Sequence, residues 1–158
     1  MKTNLSAFRI KNIREQGYTN QSNQEVTDLA IGNRFAYQLC TSILLFAVIF
    51  SNIPLLTAML SVAFLSVILP NHAFDYIYNY VIRHWLKLPK LPSRSKQLKF
   101  ACSLATTWIA TTIYFFYQNL FMAGYIAGGS LLSVAILVST TDICIPSIIY
   151  NKLFNQKK

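Results

Sequence analysis

The basic residues of this 158-residue chain are confined to three segments, and the two long stretches between those segments carry no charged residue. The uncharged stretches are residues 35–69 and 100–141. All fourteen Lys and Arg residues lie outside them: Lys2, Arg9, Lys11, Arg14, Arg34, Arg83, Lys87, Lys90, Arg94, Lys96, Lys99, Lys152, Lys157 and Lys158. Only 12% of the residues are charged, whereas a soluble domain carries about 25%. A chain with so little charge, gathered in so few places, is expected to fold in a membrane.

The length of each uncharged stretch leaves two topologies open. A helix rises about 1.5 Å per residue, so crossing a hydrocarbon core of about 30 Å takes about 17–25 residues. The stretches contain 35 and 42 residues, so each is able to cross once with a buried remainder, or twice as a hairpin. Only the double crossing places every cation on the same side of the membrane, which the positive-inside rule favours.

Turn signals divide both stretches near their midpoints, a Ser-Asn-Ile-Pro segment at 51–54 and a Tyr-Gln-Asn segment at 117–119. The pattern predicts an all-α, four-helix transmembrane bundle of two hairpins, within one membrane domain over residues 35–154. The spans are expected at residues 35–50, 54–69, 100–116 and 120–141. Both termini and the middle loop are expected in the cytoplasm, and residues 1–34 are expected to form a polar, basic and partly disordered tail.

The middle loop has a helical pattern of its own. Apolar residues recur there at three- and four-residue intervals, at positions Phe74, Ile77, Tyr78, Val81, Ile82 and Trp85. This spacing predicts an amphipathic helix over residues 73–87 that lies flat at the membrane interface. Its polar stripe is expected to face water and consists of Asp75, Asn79, Arg83 and Lys87.

The expected ligands of this basic segment are anionic lipid head groups at the cytoplasmic side. The residues expected to contact lipid or a protein partner are Arg83, Trp85, Lys87 and Lys90. The net charge of +9 does not indicate nucleic acid, because cations placed between membrane spans are typical of a topology signal.

Three cysteines are expected at one end of the bundle. Cys40 and Cys102 lie near the starts of the first and third spans, and Cys144 follows the fourth. Two histidines and two acids fall at the same level, namely His72, His84, Asp75 and Asp142. The candidate catalytic residues of a thiol site are Cys102, Cys144, His72 and Asp75. Against this, free cysteine is a common small apolar packing residue. No C-x-x-C or H-x-x-x-H spacing occurs, so neither a metal site nor a cofactor is expected.

The surroundings of Cys144 contain opposing influences on its pKa. Pro146 predicts that a short helix begins there and covers residues 146–154. The N-terminus of that helix would lower the pKa of the Cys144 thiol, whereas the carboxylate of Asp142 would raise it. The sequence leaves the sign of the net shift open.

The fourth span contains a G-x-x-x-G motif, formed by Gly124 and Gly128 and followed by Gly129. Small residues at this spacing let two helices approach closely, and the second helix belongs either to the same bundle or to another copy of the chain. None of the predicted spans carries a charged side chain, which disfavours a transporter coupled to ions or protons.

Several short segments after residue 70 carry a recognisable pattern. They are His72-Ala73-Phe74-Asp75, Tyr78-Asn79, Arg83-His84, Leu91-Pro92, Phe100-Ala101-Cys102, Ala105-Thr106-Thr107-Trp108, Gly124-Tyr125-Ile126-Ala127-Gly128-Gly129 and the stretch from Thr140 to Tyr150. In these segments the chain resembles a family of small, uncharacterised bacterial integral-membrane proteins, domain of unknown function 4395. The resemblance implies a multi-pass protein of the bacterial inner membrane and no particular activity.

The candidate site residues relate to the motifs of this family in different ways. The positions that match its motifs are His72, Asp75, Cys102, Asp142 and Cys144. Cys40 does not clearly match one, and Ala73 stands where the family usually has proline.

Three functions fit these features. The first is a structural or accessory membrane subunit, not an enzyme, which contacts lipid or a partner at the cytoplasmic face, alone or as a homodimer. The alternative is a membrane-embedded thiol-redox or sulfur-handling protein that uses Cys102 and Cys144. The third is a small-solute transporter. The first is favoured because no motif in the chain indicates a reaction.

Overall fold

The computed structural model describes residues 5–154, and every regular element within that range is helical. The helices are α1 (Ala7–Glu15), α2 (Asn23–Ile49), α3 (Ile53–Ile68), α4 (Ala73–Ile77), α5 (Arg83–Leu86), α6 (Lys96–Tyr117), α7 (Phe121–Thr141) and α8 (Ile145–Phe154). A π-helical turn, Tyr78–Ile82, joins α4 to α5. Three of the fourteen cations, Lys2, Lys157 and Lys158, lie outside the described residues. The prediction of an all-α fold is confirmed.

Three of these helices, α2, α6 and α7, are long and apolar enough to cross a membrane. Helix α3 has 16 residues and makes an angle of 80° with the helical segment that follows it. Counting α3 and that segment as one broken span raises the number to four. The chain is therefore a multi-pass membrane protein.

The two tight turns of the bundle lie at the same end. Residues 50–52 join α2 to α3, and residues 118–120 join α6 to α7. The Ser51 hydroxyl, in the first turn, donates a hydrogen bond to the Tyr125 hydroxyl, one turn into α7 (2.8 Å). This contact places the start of α7 beside the α2–α3 turn.

The opposite end of the bundle is where α1, residues 69–95 and α8 gather. Asn12 of α1 donates a hydrogen bond to the carbonyl of Thr141 at the end of α7 (3.1 Å). Arg34 of α2 donates to the neighbouring carbonyl of Thr140 (3.2 Å). We call this the basic end, because every described Lys and Arg lies in or beside these elements.

The N-terminal region differs from the expected polar tail. Residues 7–15 form α1, and α2 begins at Asn23, well before the predicted start of the first span at Phe35. A capping box at Ser22 and Glu25 initiates α2. The first turns of α2 carry apolar residues at helical spacing, among them Val26, Leu29 and Ala30. These side chains are buried against α1 and the middle loop. Because residues 1–34 are rich in polar side chains, their composition does not indicate this buried face.

The middle loop also differs from the expectation, in the direction its polar stripe faces. Asp75 and Asn79 are only 1% and 3% exposed and point into the protein. On the predicted apolar stripe, Ile77, Val81 and Trp85 face outward, with Trp85 85% exposed. Tyr78 of the same stripe is buried, at 1% exposed. The π-helical turn shifts the register here, because it inserts an extra residue between α4 and α5. The expectation that Asp75 and Asn79 face water is wrong.

Two of the three glycines in α7 lie where helices meet. A Cβ at Gly124 would lie 2.5 Å from the Phe116 ring, and one at Gly128 would lie 2.8 Å from a Val48 methyl group. A Cβ at Gly129 would meet no atom within 4 Å. Gly124 and Gly128 therefore bring α7 close to α6 and α2 of the same chain.

Candidate functional site at the basic end

A buried ion pair lies at the centre of the basic end. The Arg94 guanidinium donates two hydrogen bonds of 2.7 Å to the two carboxylate oxygens of Asp75. The side chains are 2% and 1% exposed. The backbone amide of Arg94 also donates to the carbonyl of Pro70 (2.7 Å). Arg94 thus ties the linker before α6 to α4 and to the end of α3, in the bidentate geometry that makes such pairs strong.

A chain of hydrogen bonds runs from Arg94 to the N-terminal region. Arg94 donates to the Tyr37 hydroxyl (3.1 Å), and that hydroxyl donates to the Gln16 side chain (3.1 Å). The Gln16 amide in turn donates to the carbonyl of Asp142 (2.7 Å). The guanidinium also lies over the Tyr37 ring, 5.3 Å from its centroid. The ion pair is thereby connected to α2, to the residues after α1 and to the end of α7.

His72 is the N-cap of α4 and is held by its own helix. Its backbone amide donates to Asp75 (3.0 Å), and its Nδ1 accepts a hydrogen bond from the backbone amide of Phe74 (3.2 Å). Burial and the positive charge of Arg94 lower the pKa of His72 from 6.5 to about 4. Since Nδ1 is the acceptor, the proton of this neutral imidazole is on Nε2, which lies 3.8 Å from the Cys40 sulfur.

The three cysteines occupy this same region. All are free thiols, and Cys144 is the most buried at 7% exposed. Of the sequence-predicted site residues, His72 and Asp75 are in direct contact. His72 contacts Cys40, a residue that the sequence did not single out as catalytic.

The structure gives a sign to the pKa shift of Cys144 that the sequence leaves open. Burial raises the pKa of this thiol above its ordinary value of 9.0, and hydrogen bonds from Ser147 oppose the shift without reversing it. The helix N-terminus argued from Pro146 is present, since the amide of Ile148 donates to the carbonyl of Cys144 (3.1 Å). Desolvation is nevertheless the larger effect, so Cys144 is a protonated thiol at neutral pH.

Asp142 forms a second charged centre, between α1 and α7. Arg9 donates two hydrogen bonds to one of its carboxylate oxygens, one of them from Nε at 2.6 Å. Arg34 lies 3.6 Å from the other oxygen. Burial raises the pKa of Asp142, against the opposing effect of Arg9. The carboxylate is thus engaged with cations of the N-terminal region.

No group of three or more His, Cys, Asp or Glu side chains within residues 5–154 has an arrangement that would hold a metal ion. Asp75 and Asp142 are each directed at arginine, so their carboxylates are engaged by guanidinium groups. The residues present therefore do not form a metal centre over the part of the chain that the structure describes.

Arg94 is the main site residue that the sequence did not predict. A signal for it exists, because Asp75 is the single carboxylate between residues 70 and 99. A buried carboxylate in a membrane protein requires a cationic partner. The sequence does not show which of the six nearby cations pairs with Asp75. The partner is selected by the path of the linker, which Pro89 and Pro92 direct back over α4.

The residues proposed for lipid or partner contact lie on the outer side of the same end. Trp85, Lys87 and Lys90 are exposed and Arg83 is half-buried. The rings of Tyr76 and Tyr80 stack at 6.4 Å between centroids on this side. We call this surface, residues 76–90, the aromatic basic face.

The fold and the buried polar network define a small helical membrane protein without a catalytic constellation of a known kind among the described residues. Residues 31–154 match the model of the family described as domain of unknown function (DUF4395), and the chain belongs to this family. The resemblance noted from the sequence is thus confirmed. No curated protein and no solved structure matches the chain.

Proposed function

We propose that this protein is a non-catalytic, structural or accessory protein of the bacterial inner membrane, which binds anionic lipid through its aromatic basic face. In this proposal α2, α3, α6 and α7 each cross the membrane. The basic end, with both termini, lies in the cytoplasm. The supporting argument is the distribution of charge, since the turns at residues 50–52 and 118–120 carry no cation and the opposite end carries all the described ones.

The observation that carries the proposal is the exposure of Trp85 beside Lys87 and Lys90. A tryptophan side chain that is 85% exposed on the protein surface is costly in water and favourable at the lipid head-group level. Two adjacent lysines add attraction for anionic head groups, worth about 1 kcal/mol each near a membrane surface. The buried side of the same segment is fixed by the Asp75–Arg94 ion pair, so the aromatic side is held outward.

The experiment uses Trp85 as a reporter of lipid contact. The chain has two tryptophans, so Trp108→Phe leaves Trp85 as the single tryptophan, which is excited selectively at about 295 nm. The protein is reconstituted in nanodiscs that contain brominated phosphatidylglycerol or brominated phosphatidylcholine at equal mole fraction. We expect stronger quenching by the anionic lipid, and loss of this preference in a K87Q/K90Q variant.

The matched control is Lys152→Gln on α8, which removes a cation of the basic end outside the aromatic basic face. It is expected to leave the quenching preference unchanged. Strong quenching of Trp85 by aqueous acrylamide, together with none by either brominated lipid, would contradict lipid binding at this face.

A second candidate is thiol chemistry, which the presence of three free thiols at the basic end favours. In the simplest reaction, Cys102 and Cys144 lose two protons and two electrons to the disulfide of a soluble partner. They become a disulfide while the partner leaves as two thiols. The raised pKa of Cys144 opposes this reaction, because the thiolate is the attacking species.

Thiol titration separates the two candidates. Membranes are equilibrated with oxidised glutathione, and free thiols are then counted by the gel shift of a polyethylene-glycol maleimide after denaturation. Thiol chemistry predicts the joint loss of two thiols in wild type and in Cys40→Ser, but not in Cys102→Ser. An unchanged count of free thiols, three in wild type and two in each variant, would leave the accessory function as the one supported.

A further inference from the structure

A cleft opens at the basic end between α1, the start of α6 and α8. Its volume is about 460 Å3, within the range of about 300–1,000 Å3 that is usual for small-molecule sites. It is separate from the aromatic basic face, because none of residues 76–90 lines it. Its apolar wall is formed by Ala7 and Ile10, and its polar wall includes Gln97 and Asn151.

Hydrogen bonds between the three elements hold the cleft in shape. The Asn151 side chain of α8 donates to the carbonyl of Glu15 at the end of α1 (2.7 Å). Gln97 of α6 donates to the Asn151 side chain (3.1 Å). Gly17, at a φ of +100°, lets the chain turn against α6, and a Cβ there would lie 2.5 Å from the Gln97 oxygen. The cleft is therefore formed before any ligand binds.

Two cations border this cleft without a carboxylate partner. Lys11 and Arg14 lie three residues apart, one turn of α1, and both are exposed. Within the described residues neither forms an ion pair. Arg14 donates to the side-chain oxygen of Asn23 (2.8 Å), which holds the guanidinium without neutralising it. The remaining charged group in the lining is the half-buried Glu15.

We propose that this cleft binds a phosphate group, carried either by a free phosphomonoester or by a lipid head group. Two cations one turn apart match the spread of charge over phosphate oxygens, and a guanidinium is able to bind two of those oxygens at once. The Thr19 hydroxyl and the Gln97 amide border the same space and supply neutral donors. Ala7 and Ile10 offer an apolar surface to the glycerol or carbon skeleton attached to the phosphate.

This inference does not depend on lipid binding at the aromatic basic face. The two sites use different cations, Lys11 and Arg14 in one and Lys87 and Lys90 in the other. A double substitution at two exposed cations outside both sites, Lys96 and Lys152, gives a control with the same change of charge as a double substitution at Lys11 and Arg14. Any general attraction between a cationic protein and an anionic ligand is lost equally in both variants.

The experiment measures binding to the full chain in nanodiscs of phosphatidylcholine at constant ionic strength. The probes are glycerol 3-phosphate and short-chain dihexanoyl phosphatidic acid, and the readout is the shift of the unfolding temperature with probe concentration. The variants are K11Q/R14Q and, as the matched control, K96Q/K152Q, which removes two exposed cations of the basic end that belong to neither site. We expect the affinity of K11Q/R14Q to fall by about tenfold or more, because two charge-assisted contacts are lost.

Each outcome decides the inference. Stabilisation by both probes, lost in K11Q/R14Q alone, supports a site for the phosphomonoester itself. Stabilisation by phosphatidic acid only, lost in the same variant, supports a site for a lipid head group. Absence of stabilisation of the wild type by either probe overturns the inference, and so does an equal loss in the two double variants. A failure here leaves the Trp85 quenching experiment unaffected, so the two proposals fail separately.

Discussion

Arg94 and Asp75 form a bidentate ion pair in which both side chains are almost completely buried. The pair joins the linker before α6 to the first turn of α4. Removing one member would leave the other charge buried without compensation. Removing both would take away the attraction together with the cost of burying two charges.

The first prediction concerns the stability contributed by this pair. Asp75→Asn or Arg94→Gln is expected to lower the free energy of unfolding by about 3–5 kcal/mol, because each leaves an unpaired buried charge. The double variant D75N/R94Q is expected to lose less than the sum of the single variants. Unfolding in detergent, followed by the far-ultraviolet circular dichroism of each variant, measures these differences. Lys90→Gln, an exposed cation of the same linker, serves as the control, and additive losses would show that the two side chains do not interact.

The second prediction is a pH dependence that belongs to His72. Its pKa is lowered from 6.5 to about 4 in the folded protein, so the folded state favours the neutral imidazole. The stability from this group is complete above pH 6.5 and is lost as the pH falls towards 4. A shift of this size corresponds to at most about 3 kcal/mol.

Denaturant unfolding at a series of pH values tests the His72 prediction. His72→Gln is expected to flatten the stability profile between pH 6.5 and 4, at the cost of a lower stability at pH 7. His84→Gln, at the exposed second histidine of the chain, is the matched control and is expected to keep the wild-type profile. An unchanged acid limb in His72→Gln would assign the pH dependence to other groups.

The sequence predicted the bounds of three helices closely, α3, α6 and α7, because a simple rule governs helices that are suited to lipid. A helix in hydrocarbon must be long, apolar and bounded by polar turns, and these are properties of composition and length. The observed α3, α6 and α7 accordingly begin and end close to the predicted boundaries at 54–69, 100–116 and 120–141. The number of crossings and the orientation of the termini stay predictions.

The sequence could not show which side of the middle loop is buried. Helical periodicity separates the stripe of Asp75 and Asn79 from the stripe of Ile77 and Val81. It does not show which stripe is buried, because near a membrane an apolar stripe packs equally well against lipid or against the protein interior. The arrangement was decided by long-range partners, Arg94 for Asp75 and the backbone amide of Leu91 for Asn79 (2.9 Å). Such pairs, many residues apart, leave no local pattern.

The third prediction concerns the glycines of α7. Gly128→Ala places a methyl group about 2.8 Å from Val48 and is expected to destabilise the bundle by about 1–3 kcal/mol, because the helices must move apart. Gly129→Ala adds the same methyl group one residue later, where no atom lies within 4 Å. Thermal unfolding in detergent is expected to separate these two variants. Equal destabilisation would point to the loss of glycine flexibility rather than to close packing.

The fourth prediction concerns the attachment of α1. Arg9 and Asp142 hold α1 against the end of α7, and Asp142 also lies near Arg34. Asp142→Asn and Arg9→Gln are each expected to loosen α1, since both remove the charge-assisted hydrogen bonds between the two elements. We expect faster amide hydrogen exchange over residues 7–15 in both variants, and unchanged exchange in α6.

A comparison within α1 makes the test of this attachment specific. Lys11→Gln removes an exposed cation from the same helix without touching Asp142, so it is expected to leave exchange in α1 at the wild-type rate. The double variant R9Q/D142N is expected to exchange no faster than Asp142→Asn alone, because one interaction is lost in both cases. If instead Arg9→Gln and Lys11→Gln have equal effects, the general charge of α1 governs its attachment. Slow exchange in all variants would mean that the apolar contacts of Ile13, which is 1% exposed, are sufficient to hold the helix.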